Sequence, residues 1–599
     1  MGTRARSWTL GALALWLSGP LCAQTQIFAS GFNEPAEGPY NKAQAARFLT
    51  QASFGPTLSE IDRLARIGYN AWLSDQATRP ISLQLPFLDT LIQQAIAAGQ
   101  PIEVWQDKRQ EIWWKNALQN SDQLRQRMAF ALSQILVISD QNGALEGNPT
   151  AIAHYYDLLS TNAFGNYRTL LEQVTLHPTM GQYLSMFQNR KPDAAQNIRP
   201  DENYAREIMQ LFSIGLVQLN NDGTPKDGDP NTPGVQTIAT YDQNVISGFA
   251  QVFTGWNYAT CVPPSAPEGG SLNWWDWEYC PSGPDNQDWR QHIGWRTPMK
   301  PWGEGTAFGD IYHGSSGSKQ LLNYTGVALP GGVLPAGGSA RSNLTAALNN
   351  VFNHPNVGPF LSRLLIQRLT TSNPSPAYVG RVASVFNNNG SGVRGDLGAV
   401  ARAILLDAEA RATAPPTNFG KLREPLLRIT QLWRALDGRS RDGRIREGWP
   451  EYYGGQAAQR SPTVFNFFLP GYQLPGEIAT LGLYSPEFQI TTDTYINRLT
   501  NELGGKIYWA WFGNTGLGDW DPVQVDLNQD LPLATNPADL IARYNLLFMS
   551  GRMSDFMRTT LVAHVSDINQ NNSGDDWQRY RLQDALWLIL TSPEYVVEK

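Results

Sequence analysis

Segments in which apolar residues recur at helical spacing run along most of this chain of 599 residues. The segment "LSEIDRLARIG" (residues 58–68) carries such a face and ends at a glycine, which is typical of a helix C-terminus. The segment "SDQLRQRMAFALSQILVIS" (residues 121–139) starts with polar residues and is then apolar almost all round. This second pattern predicts a helix that is capped by Ser121 and enters the core. Together these segments predict a mainly α fold.

The composition is that of a folded protein. Hydrophobic residues make up 42% of the chain and charged residues 17%, which excludes global disorder. We expect one large helical domain over residues 43–599, after an N-terminal linker over residues 24–42. Residues 257–340 are rich in Gly, Pro, Ser and Trp and lack helical spacing, so we expect an inserted, loop-rich lobe there. A few short β-hairpins are also expected, one of them at the Asp-Gly turn within residues 216–242.

Residues 460–487 combine apolar character with several prolines. This pattern predicts an ordered, partly buried segment without regular secondary structure. Long irregular segments inside a compact domain are often functional.

The N-terminus has the features of a secretory signal peptide over residues 1–23. Arg4 and Arg6 precede a short apolar run, and the small residue Ala23 offers a cleavage site. Lipidation at Cys22 would need a small residue before it, and Leu21 fits that pattern poorly. No later segment reaches the roughly 18 apolar residues of a membrane span. We therefore expect export to the periplasm, the cell surface or the medium.

The formal net charge of −7 and the lack of a long basic run disfavour a nucleic-acid partner. Cys261 and Cys280 remain after signal removal, and an even number of cysteines in an oxidising compartment predicts a disulfide. A zinc site is the alternative, but it would need two further ligands and only His292 is close in sequence. We predict no metal site, and the sequence indicates no particular cofactor.

The densest local signal is "RPDENYAREIMQLFSIG" (residues 199–215). On a helical projection Asn203, Arg206 and Glu207 lie on a polar arc opposite an apolar face. A solvated polar face is one interpretation of this arc. Ile214 projects into the arc, however, and Glu207 lies at its edge, where a carboxylate is often partly buried with a raised pKa. The alternative is therefore a site in which these polar residues act chemically.

Two histidines precede prolines in segments that resemble each other. "LEQVTLHPTMGQYLS" (residues 171–185) and "LNNVFNHPNVGPFLS" (residues 348–362) align without a gap. A duplicated helical unit and a turn that arose twice both explain this match. His177, in the first segment, is either a His-Pro helix start or a further residue of the polar site.

The expected lobe is unusually rich in tryptophan. Tryptophan suits interfaces with sugars or proteins, and a Gly-Ser loop that carries a histidine lies close by in sequence. The alternative is that these side chains replace a core in a lobe with little regular structure. The candidates for substrate binding are Trp256, Trp274, Trp275, Trp277 and His313.

Several motifs resemble the bacterial domain of unknown function 1800 family. They include "AARFLTQASFGPT" (residues 45–57), "PDENYAREIMQLFSIGL" (200–216), "SPTVFNFFLPGY" (461–472) and "LILTSPEY" (588–595). Many members of that family have "HNHF" where this chain has "ALSQIL" (131–136), so no role of those histidines carries over. The resemblance implies an exported protein and a partner from the exported domain of unknown function 1501 family. It implies no defined reaction.

Two hypotheses follow from these observations. The first is an envelope or extracellular enzyme that acts on a polysaccharide or another polymer. The second is a non-catalytic binding or assembly protein of the cell envelope. The candidate catalytic residues under the first hypothesis are Glu207, Asn203, Arg206 and His177.

Overall fold

The structure is a computed structural model that describes residues 37–264, 274–278, 282–283 and 287–599. The expected signal peptide and most of the expected linker lie outside the described residues, and so does Cys280. No helix among the described residues is long and apolar enough to cross a membrane.

The fold is mainly α, as predicted. The first helices are α1 (Lys42–Ala52), α2 (Leu58–Ile67), α3 (Tyr69–Thr78), α4 (Leu85–Ala97), α5 (Gln106–Gln119), α6 (Gln123–Ser133), α7 (Pro149–Thr161), α8 (Tyr167–Leu176) and α9 (Pro178–Tyr183). They are followed by α10 (Asn203–Gln210), α11 (Gln243–Val252), α12 (Trp274–Glu278), α13 (Ala340–Phe352), α14 (Val357–Leu369), α15 (Pro376–Asn387), α16 (Leu397–Leu406), α17 (Ala408–Arg411) and α18 (Pro425–Ala435). The last are α19 (Pro450–Gly454), α20 (Glu477–Thr480), α21 (Asp493–Tyr508), α22 (Pro537–Met549), α23 (Asp555–Asp567), α24 (Gln570–Ser573), α25 (Trp577–Thr591) and α26 (Pro593–Val596).

Short antiparallel strand pairs accompany the helices. They join β1 (Trp256–Asn257) to β2 (Lys300–Pro301), β3 (Lys319–Gln320) to β4 (Val333–Leu334), and β5 (Lys421–Leu422) to β6 (Val597–Glu598). The first two pairs lie in the expected lobe over residues 257–340. The third pair joins the end of the chain to the middle of the helical domain. Residues 460–487 contain only the four-residue α20 and the start of a 3-10 helix, so this segment is irregular as expected.

The predicted helix over residues 121–139 is shorter than expected. Its N-cap residue is Asp122 rather than Ser121, and helix α6 ends at Ser133. The carboxylate of Asp122 accepts hydrogen bonds from the N–H and hydroxyl groups of Ser82, so a tertiary contact fixes this helix start. Every residue of α6 is buried. The pattern predicts this for the apolar second half, whereas the burial of Gln123, Arg125, Gln126 and Arg127 in the polar first half was not predicted.

The predicted hairpin within residues 216–242 is present as a loose pair of segments. Isolated bridges join Val217 to Ala239 and Asp227 to Thr237. At the Asp-Gly turn Gly223 has a φ of +77°, a conformation that glycine adopts at little cost.

Both His-Pro segments make the same turn between two helices. The Nδ1 atom of His177, between α8 and α9, accepts a hydrogen bond of 3.2 Å from the backbone N–H of Thr179. The Nδ1 atom of His354, between α13 and α14, accepts one of 3.1 Å from the N–H of Asn356. Each histidine therefore satisfies a free donor of a helix start. Duplication of a helical unit stays a prediction.

A cluster of buried charges lies where the two halves of the chain meet. Oε2 of Glu424, which precedes α18, accepts hydrogen bonds from the side-chain amides of Gln134 at 2.6 Å and Gln456 at 2.7 Å. Nζ of Lys421 lies 3.4 Å from Oε1 of Glu424 and 3.2 Å from Oε1 of Glu487. All five side chains are buried.

Two arginines complete this cluster. Arg127 donates a hydrogen bond of 2.6 Å to the carbonyl of Arg368, and both arginines are buried. Burial alone would raise the pKa of Glu424, but the charges of Lys421, Arg127 and Arg368 outweigh it and hold the pKa below its usual value. The pKa of Glu487 is raised by burial, which Lys421 only partly offsets. Glu424 is therefore the ionised centre of the cluster.

The packing of α11 against β3 depends on Gly248. A Cβ at this position would lie 1.9 Å from the backbone carbonyl oxygen of Gln320, which is far inside van der Waals contact. We expect Gly248→Ala to destabilise the protein by about 3 kcal/mol or more, although alanine is the better helix former by about 1 kcal/mol. Urea denaturation checks this, with Gly317→Ala as control because nothing lies within 4 Å of that Cβ. Equal stability of the two variants would contradict this packing.

Burial lowers the pKa of His354 to about 4, and the charges of Lys226 and Arg394 add to the effect. Because the unfolded chain takes up this proton near pH 6.5, the folded state loses stability as the pH falls below that value. We expect this histidine to account for about 2 kcal/mol of the loss between pH 6.5 and pH 5. In His354→Asn the amide oxygen still accepts the Asn356 N–H, but nothing titrates. Denaturation across this pH range should give a shallower slope for the variant, and an unchanged slope would refute the assignment.

Candidate functional site

Helix α10 carries the polar arc that the sequence singles out. Oδ1 of Asp201 accepts a hydrogen bond of 2.8 Å from the N–H of Asn203 at the helix start. The hydroxyl of Tyr204 donates a hydrogen bond of 2.6 Å to Oγ1 of Thr175 on α8. Helix α10 is thus fixed against α8, with its apolar face in the core.

The three polar candidates of α10 lie in different environments. Asn203 is exposed, and Arg206 forms an ion pair of 3.3 Å with Glu202 at the surface. Glu207 is buried, and its Oε2 has no hydrogen-bond partner among the described residues. Burial raises the pKa of Glu207, and the charge of Arg206 partly offsets this rise. Tyr183 lies beside it, and its pKa is raised to about 12 by burial and by the charge of Glu207.

His177 is paired with a second histidine. Its Nε2 lies 2.9 Å from Nδ1 of His154 on α7. Because Nδ1 of His177 accepts from Thr179, its Nε2 carries the hydrogen and donates it to His154. Burial lowers the pKa of both histidines, so both rings are neutral at pH 7. Among the described residues the hydrogen bonds of His177 do not reach α10, and a shared catalytic role of His177 and Glu207 stays a prediction.

The candidates of the lobe are mostly buried. Trp256 is 0% exposed and Trp277 is 1% exposed. The ring centroid of Trp277 lies 6.0 Å from that of Trp302 and 4.4 Å from that of Tyr312. These side chains form a small core of the lobe. Trp274 and Trp275 belong to α12, but their side chains lie outside the described residues.

His313 is held on both of its ring nitrogens. Its Nε2 accepts a hydrogen bond of 2.8 Å from the amide of Asn343, and its Nδ1 lies 3.1 Å from the carbonyl oxygen of Thr254. The side chain is buried, so substrate binding by His313 stays a prediction. Cys261 is also buried, and its Sγ accepts a hydrogen bond from Nε1 of Trp302. The predicted disulfide cannot be followed to Cys280, which lies outside the described residues.

Two cavities share residues 446–448 in their lining, and the sequence did not predict them. We call the smaller one, of about 200 Å³, the Trp449 groove, and the larger one, of about 610 Å³, the Trp520 groove. The Trp449 groove is lined by Gln106, Asp107, Lys108, Gln110, Glu111, Arg446, Glu447, Gly448, Trp449, Pro450, Glu451 and Arg460. The Trp520 groove is lined by Arg446, Glu447, Gly448, Glu502, Gly505, Lys506, Ala510, Asp519, Trp520, Asp521, Pro522 and Val523.

Each groove has a highly exposed tryptophan in its wall. Trp449 is 70% exposed and Trp520 is 61% exposed. Tyr452 and Trp509, which lie close to these grooves in sequence, are exposed to a similar degree. The backbone of Trp449 has φ +54° and ψ +50°, a left-handed conformation that is unfavourable for a bulky residue. Such strain is common at functional sites.

Glu447 faces both grooves and is held by a buried lysine. Its Oε1 lies 2.7 Å from Nζ of Lys506 and also accepts a hydrogen bond from the hydroxyl of Tyr453. Burial lowers the pKa of Lys506, but Glu447 and Glu502 outweigh this effect and raise it. Both of these contacts of Glu447 are made by Oε1.

Arg460 connects the Trp449 groove to the interior. Its guanidinium lies 2.9 Å from Oε1 of Glu451 and 3.1 Å from Oδ2 of Asp140. Asp140 forms a second ion pair of 2.7 Å with Arg109, and both of these side chains are fully buried. The floor of the groove is therefore a fixed chain of charges.

The model of the family described as "Protein of unknown function (DUF1800)" matches residues 47–597, which is nearly the whole chain. This chain belongs to the DUF1800 family. No curated protein and no solved structure matches it. Among the described residues of this DUF1800 protein there is no group of three or more His, Cys, Asp or Glu side chains that is suited to hold a metal ion.

The sequence contains a signal for the grooves of this DUF1800 protein. The segment "REGWPEYYGG" (residues 446–455) places aromatic and acidic residues between glycines. Trp449 precedes the short helix α19 and is therefore not needed for the packed face of that helix, which points to a surface role. The residues that complete the grooves come from α5, α21 and residues 519–523, far away in sequence, and no local pattern indicates that they meet.

Replacement of Glu207 tests whether its carboxylate is needed for folding. Burial raises its pKa, so the protonated carboxyl group contributes to the stability of the folded state at low pH. This contribution is lost as the pH rises through the pKa of the folded state. We expect Glu207→Gln to be at least as stable as wild type at pH 8, with a gain of about 1 kcal/mol, because the amide carries no buried charge. Urea denaturation at pH 5 and pH 8 checks this. A marked loss of stability at pH 8 would show that the carboxylate is structural and would remove the basis of a catalytic role.

Proposed function

We propose that this DUF1800 protein is exported and acts on a neutral polysaccharide, which it binds along the Trp449 and Trp520 grooves. The observation that carries the proposal is the pair of adjoining cavities, each with an exposed tryptophan in its wall. Sugar rings present C–H groups on one face and hydroxyls at the edge, and an indole above a polar floor matches both. Two grooves that share residues 446–448 suit a chain of several sugars rather than a single one.

The charge of the grooves favours an uncharged polymer. Their combined lining has seven carboxylates, from Asp107, Glu111, Glu447, Glu451, Glu502, Asp519 and Asp521, against four basic side chains. An acidic polysaccharide would meet excess negative charge there. Many of these charged side chains form ion pairs with each other. A sugar hydroxyl can therefore hydrogen-bond to them, and the ligand does not have to carry a charge that balances theirs.

Glu447 is the residue we assign to chemistry, if the polymer is cleaved. It lies at the junction of both grooves, and Lys506 and Tyr453 fix its Oε1. Carboxylates act as general acids, bases or nucleophiles in glycoside hydrolysis, and they act in pairs. Glu451, which lines the same groove, is the second carboxylate of the proposal.

The exposed aromatic residues also favour a second candidate function, an assembly protein of the envelope. Tyr452 is 64% exposed and Trp509 is 67% exposed, and aromatic residues are enriched at protein interfaces. The partner implied by the family resemblance, an exported protein of the domain of unknown function 1501 family, would then cover this surface.

Two tryptophan variants test the binding proposal. We expect Trp449→Ala and Trp520→Ala each to weaken binding to a neutral polysaccharide about 5- to 30-fold, since a buried aromatic anchor contributes roughly 1–2 kcal/mol. Affinity electrophoresis in gels that contain glucan, xylan, mannan or polygalacturonate measures the effect. The control is Phe556→Ala, because Phe556 on α23 is 80% exposed and lies outside both grooves.

Retardation by no neutral polymer, or by polygalacturonate alone, would refute the proposal. If a purified domain of unknown function 1501 protein binds instead and the same variants abolish that binding, the assembly function is correct. Glu447→Gln separates binding from catalysis. We expect this variant to keep the affinity and lose any release of reducing sugar, whereas an unchanged release rate would exclude Glu447 as the reactive carboxylate.

A further inference from the structure

A third cavity, of about 630 Å³, lies away from both grooves and has a different chemistry. We call it the Arg47 pocket. It is formed by α1, by residues 415–423, by residues 549–552 after α22, and by the last residues of the chain. Its lining shares no residue with either groove. The lining residues that this argument uses are Arg47, Arg423, Arg552, Glu594 and Glu598.

Arg47 is buried, and the two nitrogens that carry three of its five N–H donors have no partner among the described residues. The residue is 7% exposed, and its Nη1 donates a hydrogen bond of 2.6 Å to the carbonyl of Ala412. Its Nε and Nη2 are also buried, and neither has a partner among the described residues. An unpaired buried donor costs roughly 1–3 kcal/mol, and more when the group is charged, so an arrangement of this kind points to a missing acceptor.

The two unused atoms form the edge with which arginine binds two oxygens at once. Five other arginines among the described residues use the same edge, because each places Nε and Nη2 on the two oxygens of one carboxylate. These pairs are Arg79 with Asp75, Arg290 with Asp288, Arg341 with Glu304, Arg381 with Asp407 and Arg444 with Glu111. Arg47 presents this edge without a carboxylate, and such an edge matches phosphate as well as it matches carboxylate.

Further positive charge surrounds the edge. Arg552 donates from Nη2 to the carbonyl of Thr413 at 3.1 Å, and its Nη1 is buried without a partner among the described residues. Burial lowers the pKa of Arg47 to about 9, the nearby charges of Arg411 and Arg552 add to the shift, and the charge of Glu598 partly offsets it. Three guanidinium groups thus lie together in a region where the like charges repel each other. A bound anion would relieve this repulsion.

The two acidic side chains of the pocket differ in how they are held. The carboxylate of Glu594 accepts hydrogen bonds from the N–H and hydroxyl groups of Ser554 at 2.9 and 2.6 Å. Glu598 is held loosely, because its Oε2 lies 3.8 Å from Nη1 of Arg423 and its Oε1 is buried without a hydrogen-bond partner among the described residues. The basic side chains of the lining, from Arg47, Arg423, Arg552 and Lys599, outnumber these two acids.

We propose that the Arg47 pocket binds the phosphoryl group of a phosphorylated small molecule through the free edge of Arg47 and Nη1 of Arg552. The N–H groups of these three nitrogen atoms supply donors for the three terminal oxygens of a phosphoryl group. The cavity falls in the range of about 300–1,000 Å³ that is usual for small-molecule sites, which leaves room for an organic group on the phosphate. Binding here does not depend on the proposed polysaccharide function.

Isothermal titration calorimetry of the full-length chain tests the proposal with four probes at low ionic strength. The probes are inorganic phosphate, inorganic sulfate, glucose 6-phosphate and glucose. We expect glucose 6-phosphate and phosphate to bind, and glucose not to bind. Tighter binding of glucose 6-phosphate than of phosphate identifies an ester as the ligand, whereas equal binding identifies the free ion. Absence of binding for both, or preference for sulfate over phosphate, would overturn the proposal.

Variants locate the site. We expect Arg47→Gln and Arg552→Gln each to weaken phosphate binding about 10- to 100-fold, the effect of losing a charged hydrogen bond of roughly 1.5–3 kcal/mol. Arg47→Lys keeps the charge without the two-donor edge, so we expect it to lose most of the affinity as well. The matched control is Arg125→Gln, because Arg125 is also 7% exposed, donates to a backbone carbonyl and has an unpaired Nε, but lies outside the pocket.

Folding of each variant is checked by circular dichroism. If Arg47→Gln fails to fold, the proposal is tested with Arg552→Gln, because Arg552 is less buried than Arg47. Wild-type phosphate affinity in a folded Arg552→Gln variant would refute the assignment. Equal weakening by Arg125→Gln would refute it as well. Trp449→Ala should keep full phosphate affinity, which separates failure of this proposal from failure of the polysaccharide proposal.

Discussion

The arrangement of the helices depends on one carboxylate, Glu424, which has no exposed surface. An ion of this kind costs several kcal/mol to remove from water, and only close partners offset that cost. Its partners come from distant parts of the sequence. Gln134 follows α6, Gln456 follows α19, and Lys421 lies on β5. The two halves of the chain must therefore meet at this point, and no apolar contact imposes so specific a condition.

The C-terminal strand β6 is attached to the same region through its pairing with β5. Strand β5, which carries Lys421, pairs with β6 so that Lys421 lies opposite Glu598. Arg423, two residues further along, donates a hydrogen bond of 2.8 Å to the carbonyl of Tyr595. The buried charges around Glu424 and the Arg47 pocket thus lie on either side of one short strand pair. A change that releases β6 would disturb both.

The sequence predicted features that local residues determine. Helix α2 has the predicted start and the predicted glycine end, because both are set within eleven residues. The edge position of Glu207 on α10 indicated burial, and the side chain is buried. By contrast, the start of α6 depends on a contact between Asp122 and Ser82, forty residues away. Nothing in the local sequence indicates that Lys421 and Glu424 are interior, and only tertiary contacts reveal it.

The two kinds of cavity differ in how their charges are satisfied, and this difference determines what each one binds. In the Trp449 groove Arg460 is already paired with Glu451 and with the buried Asp140, so a ligand does not have to supply a charge. The exposed face of Trp449 is what remains, and it favours a ligand with an apolar face and hydroxyl edges. In the Arg47 pocket Ser554 engages Glu594, whereas the edge of Arg47 has no partner among the described residues. A neutral sugar would leave that charge unpaired, whereas a phosphoryl group would satisfy it. A buried charge needs a partner. This rule disfavours a charged ligand in the Trp449 groove, where the charges are already paired, and a neutral ligand in the Arg47 pocket, where they are not.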